Sequence, residues 1–435
     1  MKIRCNGIKM ATIKYDIVVY GATGFTGSLV AQYLATHPQQ PSLALAGRNE
    51  EKVRGVLAKL TDVSKERAES IGVVRAESGD KASLQHMARS ATVIINMVGP
   101  YMAYGGLDVA SAAVEAGAGY VDLSGESVFY RELITRLHER ARTTGAILVP
   151  SMGFGSAPFD LSTYLAVQQV KRTAGPSAEI DYALCGFIVQ GRASGGTVAS
   201  IVDQRKYPDM VRFTQPYFLS PIKGQQVAKV VRSIDLPQWG KKGAFTLFSP
   251  HNTRIVSRTW GLLQEAGAPQ QYGAAFRYLE GMACPSSIVA VILSTAMLVV
   301  AWLIINVYAF GNMLVRLIPQ GTGAPMEEQL KGYGVLRTIA YQKNGSAKAL
   351  TSIAINGDPG YVRTAPMISE VALTIALERA RLPPLAQGGG VLTAATLGGE
   401  VYAERLMKYG KFEIATADVS DVKDVSSVLP NHVRG

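Results

Sequence analysis

The stretch Tyr15-Asp16-Ile17-Val18-Val19-Tyr20-Gly21-Ala22-Thr23-Gly24-Phe25-Thr26-Gly27 decides the fold of this 435-residue chain. Its first six residues are mostly apolar and β-branched, which predicts a buried strand that ends at a glycine-rich loop. Apolar residues between Leu29 and Leu34 then recur at helical spacing. A strand, a glycine loop and a helix in this order form the context that a dinucleotide-binding loop requires.

The glycine loop has the spacing G-x-x-G-x-x-G. Glycines permit a tight turn and let the backbone approach a pyrophosphate, while the helix that follows offers unpaired N–H groups and a partial positive charge. We therefore predict that this loop binds the phosphates of a dinucleotide cofactor.

The second predicted strand, Leu43–Ala46, ends at Gly47-Arg48. A site that prefers NAD usually carries Asp or Glu at this distance from the loop, where it holds the ribose 2′-hydroxyl. A guanidinium at Arg48 suits a 2′-phosphate instead, because it is positively charged and forms paired hydrogen bonds. The sequence therefore predicts NADP as the cofactor.

Further strands are predicted near Ile71–Val74, at Thr92–Val98, at Tyr120–Ser124 and at Ala146–Val149, with helices between them. This alternation predicts an α/β fold with a Rossmann-type, doubly wound parallel sheet. Ligands bind at the carboxyl ends of such strands. The cofactor site is therefore expected to include four residues at the end of the fourth strand: Asn96, Val98, Gly99 and Pro100.

Six segments carry a family resemblance: GATGFTG, LALAGRNEEKV, INMVGPYMAYG, VEAGAGYVDLSGE, PSMGFGSAPFDL and NGDPGYVRTAPMISEVAL. Together they resemble the saccharopine dehydrogenase-like oxidoreductases, a family that includes trans-acting enoyl reductases of lipid synthesis. The resemblance runs from about Tyr15 to Tyr409, and it implies that the cofactor phosphates are bound by the family's phosphate loop, here Gly21, Thr23, Gly24, Phe25, Thr26 and Gly27. It implies an NADP-binding Rossmann domain, an inserted α+β domain that carries a hydrophobic segment, and a C-terminal return to the first domain.

The expected organisation has five parts. They are a basic leader (1–14), the Rossmann domain (15–155), the inserted α+β domain (156–360), C-terminal helices that return to the Rossmann domain (361–412), and a polar tail (413–435). Within the inserted domain, Ile180–Leu184, Phe245–Phe248 and Ala347–Asn356 are predicted to be strands.

The resemblance implies an NADP-dependent oxidoreductase that acts on a lipid-type substrate by enoyl or carbonyl reduction, in lipid or glycolipid metabolism. Tyr101 and Tyr104 follow the fourth strand and are the candidate catalytic phenols, although Tyr101 could instead cover the nicotinamide. The alternative is a catalytically silent NADP-binding scaffold on a membrane or lipid droplet.

The segment 281–315 contains no charged residue, and Ile288–Ile305 is almost wholly apolar. Three interpretations stay open: a spanning helix, insertion into one leaflet, and a helix buried in the core or in a homodimer interface. A return of the chain to the Rossmann domain favours one-sided insertion, at the cytosolic face of a membrane or droplet. Basic residues before it would favour anionic lipid: Lys223, Lys229, Arg232, Lys241, Lys242, Arg254 and Arg258.

Composition narrows the remaining classes. The chain is 48% hydrophobic and 18% charged with a net charge of +11, which excludes a disordered protein. We expect no nucleic-acid partner, because no segment resembles a nucleic-acid-binding module. The three cysteines and five histidines are dispersed along the chain, so no metal site is expected.

Overall fold

The protein is described from a computed structural model over residues 14–191, 195–207, 215–226, 230–319 and 325–428. The predicted leader, apart from Lys14, and the end of the predicted tail, 429–435, lie outside these residues. Lys229 of the predicted basic surface lies outside them as well.

The first domain alternates strands with helices, as predicted. Its elements are β1 Tyr15–Tyr20, α1 Phe25–Ala35, β2 Leu43–Gly47, α2 Glu50–Leu57, α3 Lys65–Ser70, β3 Gly72–Arg75, α4 Lys81–Arg89, β4 Ala91–Asn96, α5 Gly106–Ala116, β5 Gly119–Asp122, α6 Ser127–Thr144 and β6 Ile147–Val149. The strands are almost continuously apolar because helices cover both faces of the sheet.

A second group of elements follows. These are α7 Ala157–Ala174, β7 Ile180–Gln190, α8 Gly195–Asp203, β8 Ile234–Leu236, β9 Lys241–Ala244, α9 Ser249–Glu265, β10 Arg277–Cys284, α10 Ser287–Asn306, α11 Tyr308–Leu317, α12 Met326–Lys331, β11 Tyr333–Gln342 and β12 Lys348–Asn356. The last group is α13 Thr364–Leu377, α14 Pro384–Gln387, β13 Gly390–Val391, α15 Ala394–Lys408 and β14 Glu413–Asp418.

Two seven-stranded sheets organise the chain. The first has the order β13-β6-β5-β4-β1-β2-β3, and all its pairs are parallel. The second has the order β14-β12-β11-β7-β10-β9-β8 and is mixed, since only β7 and β10 pair in parallel. This confirms the predicted Rossmann-type parallel sheet with a second α+β sheet domain.

Strand register fixes where a ligand can bind. Tyr20 of β1 lies beside Asn96 of β4, and Asn96 lies beside Asp122 of β5. The carboxyl ends of the central strands therefore meet at one level. The connections of β1 and β4 leave the sheet in opposite directions, so a crevice opens between them.

Residues after 360 return to the first domain, where α13 packs on the sheet and β13 extends it beside β6. A buried ion pair holds this return in place: the Glu370 carboxylate accepts from Arg405 at 2.8 Å, from Tyr33 at 2.6 Å and contacts His37 at 3.0 Å. α13, α15 and α1 are thereby joined at one point.

Two sequence predictions are wrong in this region. Phe245–Phe248 is not a strand, because pairing with β10 ends at Ala244 and the chain then turns into α9. The polar tail does not begin at 413, since Glu413–Asp418 pairs with β12 as the edge strand β14. The side chains of β14 are exposed or half-buried because it is an edge strand, and the following Val419 and Val425 are buried.

Candidate functional site

One large cavity opens at the carboxyl ends of β1 and β4. Its volume is about 1410 Å³, above the roughly 300–1,000 Å³ of common small-molecule pockets. The glycine loop lines one end, and α8, the start of α9 and α10 line the other. The cavity therefore lies between the two sheet domains and has room for a dinucleotide and a second molecule.

Two glycines of the loop are required by its own packing. Gly21 has φ +85°, and a Cβ there would lie 2.7 Å from Val98. A Cβ on Gly27 would lie 2.3 Å from the Gly21 carbonyl oxygen. Both values are shorter than any ordinary contact. These glycines let α1 leave β1 at a sharp angle.

Gly24 is different, because a Cβ there would meet only the Gly21 oxygen at an ordinary 3.4 Å. Gly24 is exposed to the cavity and caps α1, whose first-turn N–H groups point the same way. Its lack of a side chain serves a ligand rather than the fold. Gly24 and the first-turn N–H groups of α1 form a cradle that fits a pyrophosphate. The Phe25 ring is held from behind by Tyr361, with ring centroids 5.6 Å apart.

Nine of the eleven predicted cofactor residues line the cavity: Gly21, Thr23, Gly24, Phe25, Thr26, Gly27, Arg48, Val98 and Gly99. Arg48 is exposed at the end of β2, as a 2′-phosphate partner should be. Asn96 and Pro100 lie behind the wall. The Asn96 amide accepts from Val98 N at 3.0 Å and donates to the Tyr120 hydroxyl at 3.2 Å, so Asn96 shapes the loop without reaching the cavity.

The Tyr101 hydroxyl is already committed to the backbone. It donates to the Asn96 carbonyl oxygen at 3.1 Å and accepts from Leu123 N at 3.1 Å. The ring stacks on Phe129, and burial raises the pKa of the phenol well above its ordinary value. This geometry does not favour Tyr101 as a proton donor. It supports the other interpretation, in which the ring forms part of the cofactor wall.

Tyr104 has the opposite surroundings. Its side chain is about half exposed and lines the cavity. Its backbone N–H donates to the Pro100 carbonyl at 3.0 Å, which fixes the turn that carries it. Of the two predicted phenols, Tyr104 is the one whose hydroxyl can reach a bound molecule.

A chain of four side chains in the cavity wall was not predicted. His251 contacts Ser127 Oγ through Nδ1 at 2.8 Å and Ser151 Oγ through Nε2 at 3.2 Å. Ser151 Oγ in turn lies 3.3 Å from Ser124 Oγ. Ser124, Ser127 and His251 all line the cavity. We call this set the serine–histidine chain.

Asp122 holds the backbone of two members of the serine–histidine chain. The Asp122 Oδ1 atom accepts from Ser124 N at 2.8 Å and from Ser151 N at 2.9 Å. Burial and the nearby Arg254 lower the pKa of His251 to about 3, so the imidazole is neutral. A neutral imidazole donates through one ring nitrogen and accepts through the other. The four groups can therefore pass a proton along hydrogen bonds.

No local motif marks His251. It lies in the first turn of α9, more than a hundred residues beyond Ser127, and only the packing of α9 against the first domain brings the two together. Ser124 and Ser127 are different, because they follow the carboxyl end of β5, where ligands of parallel sheets bind.

α10 forms the far wall of the cavity with one side only. Ala301, Ile304 and Ile305 line the cavity, whereas Ile288, Ile292, Val299 and Trp302 are exposed. Mid-helix Ser294 accepts from Phe245 N at 2.8 Å and donates to the Arg232 carbonyl at 2.8 Å, so α10 is attached through its polar residue. Within the described ranges it is the one helix long and apolar enough to span a membrane, with 22% of its apolar window buried.

The predicted basic surface before α10 is partly wrong. Arg258 is buried, donates to the Leu219 carbonyl at 2.7 Å and also to the Val391 carbonyl, and lies over the Tyr130 ring. Arg254 is buried too, and burial lowers its pKa to about 10. Both arginines fasten α9 to its neighbours and cannot meet a lipid surface. In the described part of the chain, no three His, Cys, Asp or Glu residues are grouped as metal ligands would be.

Comparison with known proteins gives the family. The model of the saccharopine dehydrogenase NADP-binding domain matches residues 17–149. The trans-acting enoyl reductase of Mycobacterium ulcerans is 35% identical over 431 residues, covering 93% of this chain and 98% of the relative. The trans-acting enoyl reductase of Mycobacterium tuberculosis is 33% identical over 419 residues, covering 90% and 96%. A second M. tuberculosis protein, which bears this name provisionally, is 36% identical over 423 residues, covering 91% and 96%.

A solved structure supports the same fold. Saccharopine dehydrogenase (L-Glu forming) from Saccharomyces cerevisiae superposes with a TM-score of 0.50 at 13% identity, over 93% of this chain and 100% of the other. The glycine cradle and the parallel sheet are the features expected of the family to which these relatives belong. The chain belongs to the saccharopine dehydrogenase-like family of NADP-dependent oxidoreductases.

Proposed function

We propose that this protein uses NADPH to reduce a carbon–carbon double bond conjugated to a carbonyl, an enoyl group, in a lipid-type substrate. One observation carries the proposal: a single cavity begins at the dinucleotide loop and ends against the apolar inner side of α10. The relatives named as enoyl reductases supply the reaction type. Reduction of an isolated carbonyl is the second reaction that the same cavity would allow.

The chain's own residues bind and orient. The glycine loop holds the pyrophosphate, Arg48 holds the 2′-phosphate, and Val98, Gly99 and the Tyr101 ring form the wall beside the nicotinamide. NADPH, when bound, supplies the hydride. α8 and α10 cover the opposite side and exclude water from the reacting group.

Reduction of an enoyl group requires one hydride and one proton. Bound NADPH would supply the hydride, with its two electrons, to the β-carbon of the substrate, and the α-carbon would take the proton. The groups with a transferable proton that reach the cavity include the serine–histidine chain and the Tyr104 phenol. We propose the serine–histidine chain as the donor, because a hydroxyl that gives up its proton can take one from the next member of the chain, while solvent supplies the one proton that each turnover consumes.

The test is NADPH oxidation followed at 340 nm, with trans-2-enoyl thioesters of several chain lengths and with aldehydes and ketones as a second panel. Gly24→Ala is the matched variant, because it blocks the cradle without a clash inside the protein. Enoyl reduction that Gly24→Ala abolishes supports the proposal. Tight NADPH binding without reduction of any compound overturns it and favours the silent scaffold.

We also propose that the exposed side of α10 inserts into one leaflet of a membrane or into a lipid-droplet surface, on the cytosolic side. The support is the exposure of Ile288, Ile292, Val299 and Trp302. β10 before the helix and β11 after it both pair with β7, so the chain leaves and re-enters the same sheet. That topology suits insertion from one side rather than a single crossing.

Sedimentation with phosphatidylcholine vesicles containing 20% phosphatidylserine tests this insertion. Ile292→Ser with Trp302→Ser should release the protein, whereas Leu330→Ser, at an exposed position of α12, should not. Loss of self-association in solution, without any vesicle binding by the unchanged protein, would instead assign this side of α10 to a homodimer interface.

A further inference from the structure

We propose that the inner side of α10, together with α8 and the turn before α9, binds the alkyl chain of the substrate. This inference rests on the proposed function and adds to it the part of the molecule that selects a long hydrocarbon chain. The site is the end of the cavity away from the glycine loop, lined by Ile201, Leu247, Phe248, Ala301, Ile304 and Ile305.

Neighbouring residues of α10 have opposite surroundings. Ala301 and Ile304 are 6% and 5% exposed and face the cavity, whereas Val299 and Trp302 are 51% and 59% exposed on the outside. The helix is thus one apolar wall between the cavity and the surface. α10 is apolar all round for two reasons: its outer side meets the surroundings, and its inner side meets a ligand.

Two charged residues of the cavity lining, Arg205 and Arg254, have partners within the protein. Arg205 donates to the Tyr308 carbonyl at 3.2 Å and to Asn312 Oδ1 at 2.8 Å, and its guanidinium lies over the Tyr308 ring. Arg254 donates to the Gln215 carbonyl at 3.4 Å and lies over the Phe218 ring. Both guanidinium groups are thus held against carbonyl oxygens and aromatic rings of the protein. A hydrocarbon chain suits the aliphatic and aromatic lining.

Polarity along the cavity gives the direction of the substrate. The glycine loop follows β1 and Arg48 follows β2, Ser124 and Ser127 follow β5 on the other side of the crevice, and α10 contributes apolar residues to the lining. A substrate with its enoyl group beside the serine–histidine chain would extend its alkyl chain toward Ile304 and Ala301.

Binding of cis-parinaric acid, an 18-carbon fluorescent fatty acid, tests the site without any need for turnover. We expect Ala301→Phe to raise the Kd about tenfold, the effect of losing the burial of roughly two methylene groups. Leu330→Phe adds a ring at an exposed position of α12, outside the cavity, and should leave the Kd unchanged. Ile304→Ala is a milder second variant, to be used if Ala301→Phe unfolds, and should raise the Kd by about threefold to tenfold.

Turnover separates this inference from the proposed function. With enoyl thioesters of 4, 8, 12 and 16 carbons, Ala301→Phe should raise KM for the long chains only. Equal probe binding by all folded variants, or a KM independent of chain length in the unchanged protein, would overturn the alkyl site. If the probe binds as expected and no enoyl compound is reduced, the alkyl site stands and the proposed reaction fails.

Discussion

The Glu126 carboxylate accepts a hydrogen bond of 2.9 Å from the Ser200 hydroxyl, across the boundary between the two sheet domains. The same carboxylate accepts from Tyr101 N at 3.0 Å and from Met102 N at 3.1 Å. One buried side chain therefore joins the loop after β4, the loop after β5 and α8. Because these three segments form part of the cavity wall, we expect Glu126 to couple cofactor binding to the shape of the substrate-binding part of the cavity.

Glu126→Gln and Ser200→Ala should separate these two roles. The glutamine amide has a donor where the carboxylate had an acceptor, so one backbone N–H loses its partner, at a cost of about 1–3 kcal/mol. We expect Glu126→Gln to lower thermal stability and raise the Kd for NADPH. Ser200→Ala removes only the bond between domains and should raise the substrate KM while the NADPH Kd is unchanged. Equal effects of both variants on NADPH binding would contradict this division.

Gly24 and Gly27 should respond differently to alanine. A Cβ on Gly27 would collide with the Gly21 carbonyl oxygen, so Gly27→Ala should reduce the free energy of unfolding of the cofactor-free protein by about 1–3 kcal/mol. Its unfolding temperature should fall accordingly. Gly24→Ala should leave that temperature unchanged but abolish its rise on addition of NADPH. Thermal unfolding with and without NADPH measures both effects. A destabilised Gly24→Ala protein would show that the glycine serves the fold.

Arg48 should determine the choice between NADPH and NADH. Charge-assisted hydrogen bonds are worth about 1.5–3 kcal/mol, so Arg48→Ala should raise the Kd for NADPH by roughly tenfold to a hundredfold and leave that for NADH unchanged. Arg75→Ala is the control, because Arg75 lies at the end of the next strand and pairs with Glu77 at 3.3 Å. Equal losses for both cofactors would contradict the assignment of Arg48 to the 2′-phosphate.

The first domain could be predicted from sequence because its signals are local. β1 and β4 can each be recognised from six consecutive, mostly apolar residues. Because the strands of the sheet are parallel, their order then determines where the crevice lies. The second sheet was harder to predict, since β8 and β9 are short and β14 is an edge strand of mixed polar and apolar residues. Its position depends on backbone pairing with β12, which no composition reveals.

The functional site shows the same difference between local signals, which the sequence reveals, and contacts made by the fold, which it does not. Glycine spacing identifies the cradle. Tyr101, however, looks like a free phenol in the sequence, because the partners of its hydroxyl, Asn96 O and Leu123 N, are backbone atoms that no sequence pattern reveals. His251 carries no signal, because its contacts with Ser127 and Ser151 are 124 and 100 residues away along the chain. Arg254 and Arg258 look like surface charges for the same reason.

His251 and Tyr104 can be distinguished as proton donors by kinetics. General acid catalysis contributes about 10²–10⁴-fold, so His251→Phe should lower kcat by about a hundredfold with little change in the Kd for NADPH. Tyr104→Phe keeps the ring and should lower kcat by less than about threefold. The solvent deuterium isotope effect on kcat should rise in His251→Phe, because protonation becomes rate-limiting. The reverse pattern would assign the proton to Tyr104.

Asp160 should make stability fall as pH rises through the mildly acidic range. Its buried carboxyl accepts from Thr259 Oγ1 at 2.5 Å and from Ala395 N at 2.9 Å, and burial raises its pKa from 3.8 to about 6. Between these values the folded protein keeps a proton that the unfolded chain has lost, so folding is favoured at the acid side and this contribution disappears as pH rises.

Asp160→Asn removes this titration. The stability of the unchanged protein relative to the variant should therefore decrease by about 2 kcal/mol between pH 4.5 and pH 7.5. Thermal unfolding of both proteins at several pH values across this range measures the difference. A difference that does not change with pH would mean that Asp160 is ionised in the folded protein throughout this range, held by Thr259 and Ala395 as a carboxylate.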